Sequence, residues 1–457
     1  MIRLESKGRP PLRDGGFGES VAVSSRYVVV GEPFADEGAS DAGAAQVSDA
    51  VTGRVLRRIK AAGEPNGQFG TDVAVSGDFA LIGAPGENTS LGAAHLVDLR
   101  TGRRLRSYTP SGSGLGADFF GTAVALGHDR VVVGAPFHNN GRGAVYVFDR
   151  ETGSQLLKLA PLTGGNGDYF GSSLALSGRL LLAGALNHNN QRGAAYVFHL
   201  LRAPAATTEV FKITAADGAD GDEFGARVAL DGVNALVGAW GHNGGRGAAY
   251  LFNLAASPSP ALVRKLSLPG ANAGDAFGGA VALDGQQAVV GAYGRDNERG
   301  AAYVFHLRNG EILATLQAAD GSTMDHFGAA AGFHGGTLVI GARQAGASMS
   351  ERQGYAYLLP QVARPLPLVL VAQRGTGTPG VAGAVHGALG EAFVTGDGYA
   401  LYSGGLTGGG SSLGVWSHDS GGVQRLRLLR GVTLGSDAGG ITPGARIAKV
   451  EQIVSAD

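Results

Sequence analysis

An acidic and a basic residue recur together along this chain of 457 residues, at matching places in a repeated pattern. Asp stands two residues before a Phe-Gly pair, and Arg stands directly before a later Gly. Both are absent from the first two copies, where Gly15 and Gly67 replace the acid and Ala42 and Leu91 replace the base. Groups that come and go together favour bidentate carboxylate–guanidinium pairs. The predicted pairs are Asp118 with Arg142, Asp168 with Arg192, Asp222 with Arg246, and Asp275 with Arg299.

These pairs are expected to be structural. A catalytic carboxylate repeated in every copy would be unusual, whereas stacked repeats depend on ties between neighbours. Two other catalytic patterns are missing from the sequence, which has no His-Glu-x-x-His and no phosphate loop that ends in Gly-Lys-Ser or Gly-Lys-Thr. The residues therefore predict a protein that is not an enzyme.

Short polar segments form a second group of candidates, which we treat as a ligand rim. Equivalent loops of a repeat protein lie on one side, so four similar loops could bind a sugar or a peptide, and nearby aromatic side chains favour binding. Ordinary solvated turns remain the alternative, because Asn and Gly are common turn residues. The candidates are His138, Asn139, Asn140, His188, Asn189, Asn190, Trp240, His242, Asn243, Tyr293, Asp296 and Asn297.

An acidic cluster is a third candidate. Asp217, Asp220 and Asp222 precede a Phe-Gly pair and could supply oxygens to Ca²⁺, although such a site needs about six or more converging oxygens. The alternative is a turn in which Asp side chains accept backbone N–H groups. No cofactor other than this possible Ca²⁺ is expected.

The strands and loops that hold these residues can be predicted from three landmarks, each present in seven copies. Phe-Gly begins at Phe17, Phe69, Phe120, Phe170, Phe224, Phe277 and Phe327, with another Gly fourteen residues later and a third before an Ala- and Tyr-rich run. A period near 50 residues is typical of propellers, solenoids or arrays. Each copy contains four strand patterns separated by turns such as Asp284-Gly285 and Asn309-Gly310.

Four antiparallel strands in about 50 residues make one propeller blade. We therefore predict an all-β protein, with a seven-bladed β-propeller of four-stranded antiparallel blades over residues 1–360. The strand pattern at Ile2 to Glu5 matches the fourth strand that the seventh copy lacks, and it is expected to close the ring. Residues 361–457 lose the repeat phase and predict a smaller all-β region, which we interpret as an incomplete second repeat domain.

Composition limits the environment and the partners. The net charge is −1, with 37 basic and 38 acidic residues, which gives no basic surface for nucleic acid. The sequence has no Cys and no apolar run long enough to cross a bilayer, and Met1 to Pro10 lack the apolar stretch of a signal peptide. We expect no nucleic-acid partner, no membrane insertion and a monomer.

The landmarks resemble the FG-GAP repeat family, which includes the integrin alpha-chain propeller and bacterial surface proteins. The resemblance rests on Phe69-Gly70 with Gly83-Ala84-Pro85 and on Phe120-Gly121 with Gly134-Ala135-Pro136, and it covers residues 1 to 360. The family's calcium loops are not matched, because hairpins such as Val75-Ser76-Gly77-Asp78 are short and poor in acid.

This resemblance implies a non-enzymatic binding or interaction module of an exported or cell-surface bacterial protein. The expected partner is a protein or a glycan, and the expected location is extracellular or at the cell surface. The alternatives are a carbohydrate-binding or carbohydrate-active protein that uses one rim of the propeller, and a purely architectural spacer.

Overall fold

The computed structural model describes residues 1–7, 15–111, 116–200, 209–256, 259–344 and 353–360, and five further strands between residues 386 and 455. It divides into two units, Met1–Ala363 and Arg364–Asp457, which are described separately. The sequence also predicts loop insertions around Pro204 and Pro258 and a strand at Leu368 to Gln373, and these residues lie outside the described ones.

The first unit consists of seven four-stranded antiparallel sheets, as the sequence predicted. The strands of blades one to three are Val21–Val23, Tyr27–Glu32, Ala44–Asp49 and Val55–Lys60; Val73–Ser76, Phe79–Ala84, Ala93–Asp98 and Arg104–Tyr108; Ala123–Leu126, Arg130–Ala135, Ala144–Asp149 and Gln155–Leu159. Blades four and five contain Phe170–Ser177, Leu180–Ala185, Ala194–His199 and Glu209–Ile213; Arg227–Asp231, Asn234–Ala239, Ala248–Asn253 and Ala261–Leu266. Blade six contains Phe277–Asp284, Gln287–Ala292, Ala301–His306 and Ile312–Leu316.

Blade seven is completed by the start of the chain. Its strands are Phe327–His334, Thr337–Ala342, Tyr355–Leu359 and Ile2–Glu5. Ile2 pairs with Leu358 and Glu5 with Tyr355 in an antiparallel register, so the first strand of the chain is the outermost strand of the last blade. This is the place expected for it from the sequence. It leaves no unpaired edge on the Tyr355–Leu359 strand.

The repeated Phe residues form the contacts between blades. Phe120 is fully buried and packs in one cluster with Leu81 and Ala94 of blade two and with Val131 of blade three. Its ring meets the ring of Tyr146 edge-on at a centroid distance of 5.4 Å. Equivalent clusters surround the other Phe residues, so burial of large aromatic surface joins each blade to the next.

The repeated Gly residues allow the backbones of neighbouring blades to approach closely. A Cβ atom on Gly134 would lie 2.1 Å from the carbonyl oxygen of Gly171 in the next blade. Gly143 has a φ of +85° and forms a bridge with Phe170, whose carbonyl oxygen a Cβ would meet at 2.1 Å. Both the left-handed conformation and the lack of space therefore require Gly.

Strand direction places two sets of loops on the same side of the ring. Each Phe-Gly loop leads into the first strand of a blade. The first and second strands are antiparallel, so the second strand ends on the side where the first strand began. The Phe-Gly loops and the loops between second and third strands therefore lie on one face of the ring, here called the loop face. Short helical turns occupy the second set at Glu87–Ser90, His138–Gly141, His188–Gln191, His242–Gly245 and Arg295–Glu298.

The second unit contains one antiparallel sheet of five strands in chain order, His386–Val394, Ala400–Leu406, Ser411–His418, Gln424–Leu429 and Ile453–Ser455. The predicted all-β character of this region agrees with these strands. In the part of the chain that the structure describes, no helix is long and apolar enough to cross a membrane.

Candidate functional site

Blades three, four and five carry the same hydrogen-bonded series of Asp, His and Lys side chains on the loop face. In blade four, the buried Asp168 accepts a hydrogen bond from His188 Nδ1 at 2.7 Å and another from the backbone N–H of Gly165 at 2.8 Å. Lys212 Nζ lies 2.7 Å from His188 Nε2. An ammonium group can only donate, so Nε2 accepts and the ring proton lies on Nδ1, facing the carboxylate.

The corresponding sets in the neighbouring blades have the same geometry. His138 Nδ1 lies 2.7 Å from Asp118, and His242 Nδ1 lies 2.6 Å from Asp222. Lys158 and Lys265 each reach the other ring nitrogen of the His at 2.8 Å. Each set also includes a Tyr whose ring meets the imidazole edge-on, and these are Tyr146, Tyr196 and Tyr250.

The predicted Asp–Arg pairs are therefore wrong. Arg142, Arg246 and Arg299 donate instead to the backbone carbonyls of Pro161, Ala271 and Ala318. Arg192 forms an exposed pair with Asp220 at 2.6 Å. The partner of each Asp is the residue twenty positions later, which is His in three copies and Arg295, 2.6 Å from Asp275, in the fourth.

The sequence contained a signal for the correct partner. Twenty residues after the place of the Asp, the first two copies have Ala35 and Glu87 instead of His or Arg, so the basic residue at this position also disappears together with the Asp. The His and the later Arg each stand at a constant distance in sequence from the Asp, so spacing alone cannot decide which of them is its partner. Side-chain direction decides it. The His begins the loop turn and faces inward, whereas the Arg ends the turn and reaches outward toward the following loop.

The first two blades fill the same space with different polar groups. In blade two, His95 stands where blade three has Tyr146, and it bridges Glu87 and Ser107, each at 2.8 Å. In blade one, Arg58 pairs with the buried Glu32 at 2.7 Å and also with Glu37. Burial raises the pKa of Glu32, although Arg58 opposes this effect. Each of these sets balances charge beneath its own loop, which supports a structural role.

The Asn-rich turns have a backbone explanation. Asn139 and Asn140 have φ values of +52° and +57°, and Asn189 and Asn190 have nearly the same values. Asn243, Asp296 and Asn297 are also left-handed. Asn and Asp tolerate this conformation better than most residues. Their side chains are exposed and lie on separate blades, so these candidates do not converge on one site.

The acidic cluster is divided among separate partners. Asp217 accepts hydrogen bonds from Tyr250 at 2.9 Å and from Lys265, Asp220 pairs with Arg192, and Asp222 with His242. Burial opposes ionisation of Asp217, but the bonds from Lys265 and Tyr250 outweigh it and lower its pKa. This arrangement supports the turn interpretation. Among the described residues, no group of three or more His, Asp and Glu side chains is placed to hold a metal ion.

A further set of side chains was not predicted from the sequence. The residue before each Phe has a left-handed backbone in all seven copies, with φ between +53° and +68°. Three of these residues are bulky rings, Phe119, Tyr169 and His326, although the conformation favours Gly or Asn. The sequence contained a signal for this set, because the residue type before the Phe differs from copy to copy whereas the Phe-Gly pair is constant.

Two of these rings form an aromatic patch on the loop face. Phe137 lies 4.9 Å from Phe119 and 4.9 Å from Tyr169, measured between ring centroids, and 44% of its surface is exposed. Phe119 and Tyr169 belong to successive Phe-Gly loops, so the patch bridges blades three and four. We call Phe119, Phe137 and Tyr169 the Phe137 patch.

The channel through the ring has a volume of about 410 Å³ and is lined by the first strands of all seven blades. Its lining is mostly Ala, Val, Ser and Thr, with Glu19, Asp72 and Arg227 as the charged exceptions. Asp72 accepts the backbone N–H groups of Val73 at 3.0 Å and of Val124 in the next blade at 2.7 Å. Burial against the channel wall raises its pKa to about 6.

Comparison with known proteins identifies the repeat. A family model described as FG-GAP repeat matches residues 13–48, 61–97, 111–148, 154–198, 207–252, 261–305 and 313–359, which together are more than half of the chain. Each match covers parts of one repeat, from before a Phe-Gly pair to the following third strand. A comparison with curated proteins gives no match.

Proposed function

Since the chain belongs to the FG-GAP repeat family, we propose that it is a non-catalytic binding module of an exported or cell-surface bacterial protein, and that a protein partner docks on the Phe137 patch. The propeller fold supports an interaction role, because rigid blades present many loops on one face. The polar sets of blades one to five already have internal partners, whereas Phe137 is exposed and available to a partner.

The observation that carries this proposal is the retention of rings at strained positions. Phe119 and Tyr169 have φ values of +53° and +56°. A left-handed backbone costs roughly 1–2 kcal/mol for residues other than Gly. Such strain persists mainly where function selects the side chain. Here it directs two rings toward Phe137 on the surface of the ring.

The chemistry of the patch favours a protein over a glycan. Phe137 and Phe119 have no polar group, and Phe side chains are enriched at the centres of protein interfaces. A second exposed Phe, Phe34 of blade one, lies on the same face with 39% of its surface accessible. An exported location is consistent with the absence of Cys, since no thiol would need protection from oxidation.

The test uses the full chain with a photoreactive amino acid at position 137. The matched control carries it at position 233, where Val233 is also exposed but lies in a hairpin on the opposite face. Crosslinking in the cell envelope of the source organism should yield one defined protein from position 137 only. That protein, once purified, should bind the wild-type chain and its Val233→Ser variant but lose affinity for Phe137→Ser. Equal capture from both positions, or unchanged binding by Phe137→Ser, would contradict the proposal.

A further inference from the structure

Blades five, six and seven differ from the other four at two positions that change together. The residue after Gly-Ala is Trp240, Tyr293 or Arg343 in these blades, whereas the matching residues of blades two to four are Pro or Leu. The residue two after the Phe is Ala226, Gly279 or Ala329 in the same three blades. In the other four blades that position holds Glu19, Thr71, Thr122 and Ser172.

The small residues provide room for the large ones. A Cβ atom on Gly279 would lie 2.5 Å from Cε1 of Tyr293 in the same blade, so any other residue would displace the ring. The φ of Gly279 is not in the left-handed region, so conformation does not require Gly at this position. The exchange of large and small side chains therefore brings the Tyr293 ring toward the mouth of the channel.

The result is a pocket of about 180 Å³, lined by Arg227, Trp240, Gly279, Tyr293, Ala329 and Arg343. The Trp240 and Tyr293 rings are tilted by 51° with centroids 6.4 Å apart, and the Arg343 guanidinium lies 5.6 Å from the Tyr293 centroid. Arg227 and Ala329 also line the channel, so the pocket opens into it.

One of the two Arg side chains of this pocket has a buried donor that is not used, and the other is exposed. Arg343 Nη1 pairs with Glu19 at 3.1 Å, but its Nε is buried with no hydrogen-bond partner among the described residues. Arg227 Nη1 donates to the carbonyl of Ala226 at 3.0 Å. Within the described part of the chain, no carboxylate lies within ion-pair distance of Arg227. A buried donor without a partner is costly, and a bound acceptor would satisfy it.

Acceptors stand beside these donors. Glu19 holds one side of Arg343, and Glu223 lies next to the Trp240 indole. Burial raises the pKa of Glu223, and the hydrogen bond from Trp240 opposes this effect. A site that combines aromatic faces, guanidinium donors and carboxylate acceptors matches a ring that carries hydroxyl groups and an acidic group.

We propose that this pocket binds a sugar that carries a carboxylate, with the sugar ring against Trp240 and the carboxylate between Arg227 and Arg343. Guanidinium groups bind carboxylates in a planar, often bidentate geometry. The volume suits a single ring with its substituents, and the open side toward the channel leaves space for a second unit. The site is separate from the Phe137 patch, so it does not depend on the proposed protein partner.

The experiment is titration calorimetry of the full chain with galacturonate and glucuronate oligosaccharides. The comparison ligands are the neutral galactose and glucose oligosaccharides and benzoate, at the same millimolar concentrations. We expect binding of at least one acidic sugar and no measurable heat with the neutral sugars or benzoate. Binding of neutral sugars with equal affinity, binding of benzoate alone, or no binding of either acidic sugar would overturn the proposal.

Variants locate the site. Trp240→Leu and Arg343→Gln should each lose roughly tenfold or more in affinity for the acidic sugar, as expected when a stacking face or a charge-assisted bond is removed. Arg192→Gln is the matched control, because Arg192 lies on the outer part of the loop face in an exposed pair. Phe137→Ser should also leave sugar binding unchanged. Equal losses in the two controls, or none in the pocket variants, would place the sugar elsewhere and contradict the assignment.

Discussion

The Asp–His–Lys chains explain why acidic residues recur before the Phe-Gly pairs. Asp168 is buried, and its carboxylate holds the His188 ring and the loop backbone at Gly165 together. We expect Asp168→Asn to lower the free energy of unfolding by about 1.5–3 kcal/mol, the usual contribution of hydrogen bonds to a charged group. Both donors meet the same oxygen, Asp168 Oδ2, and the neutral amide oxygen of Asn would accept them more weakly than a charged carboxylate oxygen does.

Arg192→Gln gives the matched comparison in urea unfolding. Arg192 and Asp220 are both about half exposed, so this change should cost at most about 1 kcal/mol. In double-mutant cycles, Asp168→Asn should couple with His188→Gln and should be additive with Arg192→Gln. Coupling of Asp168 with Arg192 instead would restore the Asp–Arg pair predicted from the sequence.

Asp72 should make stability depend on pH. Its pKa is raised from 3.8 to about 6 by burial, and the bonds from Val124 and the charge of Arg227 oppose that rise. The folded state therefore binds a proton more tightly than the unfolded state. The stabilisation by this proton is present at low pH and is lost as pH rises through about 6.

Comparison with Asp72→Asn isolates this effect from other carboxyl groups, some of which have lowered pKa values. The unfolding free energy of wild type relative to Asp72→Asn should fall as pH rises from about 4 to 7 and then stay level. Arg227→Gln removes an opposing positive charge, so it should shift this fall to higher pH. A difference between wild type and Asp72→Asn that does not change with pH would contradict the assignment.

At the level of strands and turns, the repeated Gly residues fix the distance between blades. Gly143→Ala would place a methyl group against the carbonyl of Phe170 and force a left-handed Ala. We expect a loss of about 1–3 kcal/mol or more in the free energy of unfolding, the range for overpacking. Gly178→Ala is the control, because Gly178 is also left-handed but has nothing within 4 Å of its Cβ position.

The control should cost only about 1 kcal/mol, the penalty of the backbone conformation alone. Both changes can be followed by urea unfolding of the same full chain. If Gly143→Ala were no more costly than Gly178→Ala, close approach between blades would not be the reason for the third repeated Gly.

The same landmarks show how far the sequence could predict this fold. Phe-Gly and its two following Gly residues are backbone requirements of the repeat, so they recur in phase and indicate the number of blades. Trp240, Tyr293 and Arg343 were harder to interpret, because their importance depends on the space left by Gly279 and its equivalents. Side-chain direction in three dimensions decides which large and small residues fit together. It also decides whether Asp168 pairs with His188 or with Arg192.

For the whole ring, closure by the first strand is the decisive feature. Leu4 is 3% exposed and packs with Phe17, Val339 and Leu358, while Arg3 pairs with Asp320 at 2.6 Å. Removal of residues 1–6 would expose this apolar surface and the unpaired edge of Tyr355–Leu359. Free edges of this kind pair with other chains.

We therefore expect the chain without residues 1–6 to self-associate in size-exclusion chromatography with light scattering and to unfold at lower urea concentration. A synthetic peptide of residues 1–7 should restore the monomer and the urea midpoint, since it can take the vacant strand position. The same peptide with Leu4→Asp is the matched control, and it should fail because it would bury a charge among Phe17, Val339 and Leu358. A truncated chain that remains monomeric with an unchanged midpoint would show that blade seven is stable with three strands, and that the first strand does not hold the ring closed.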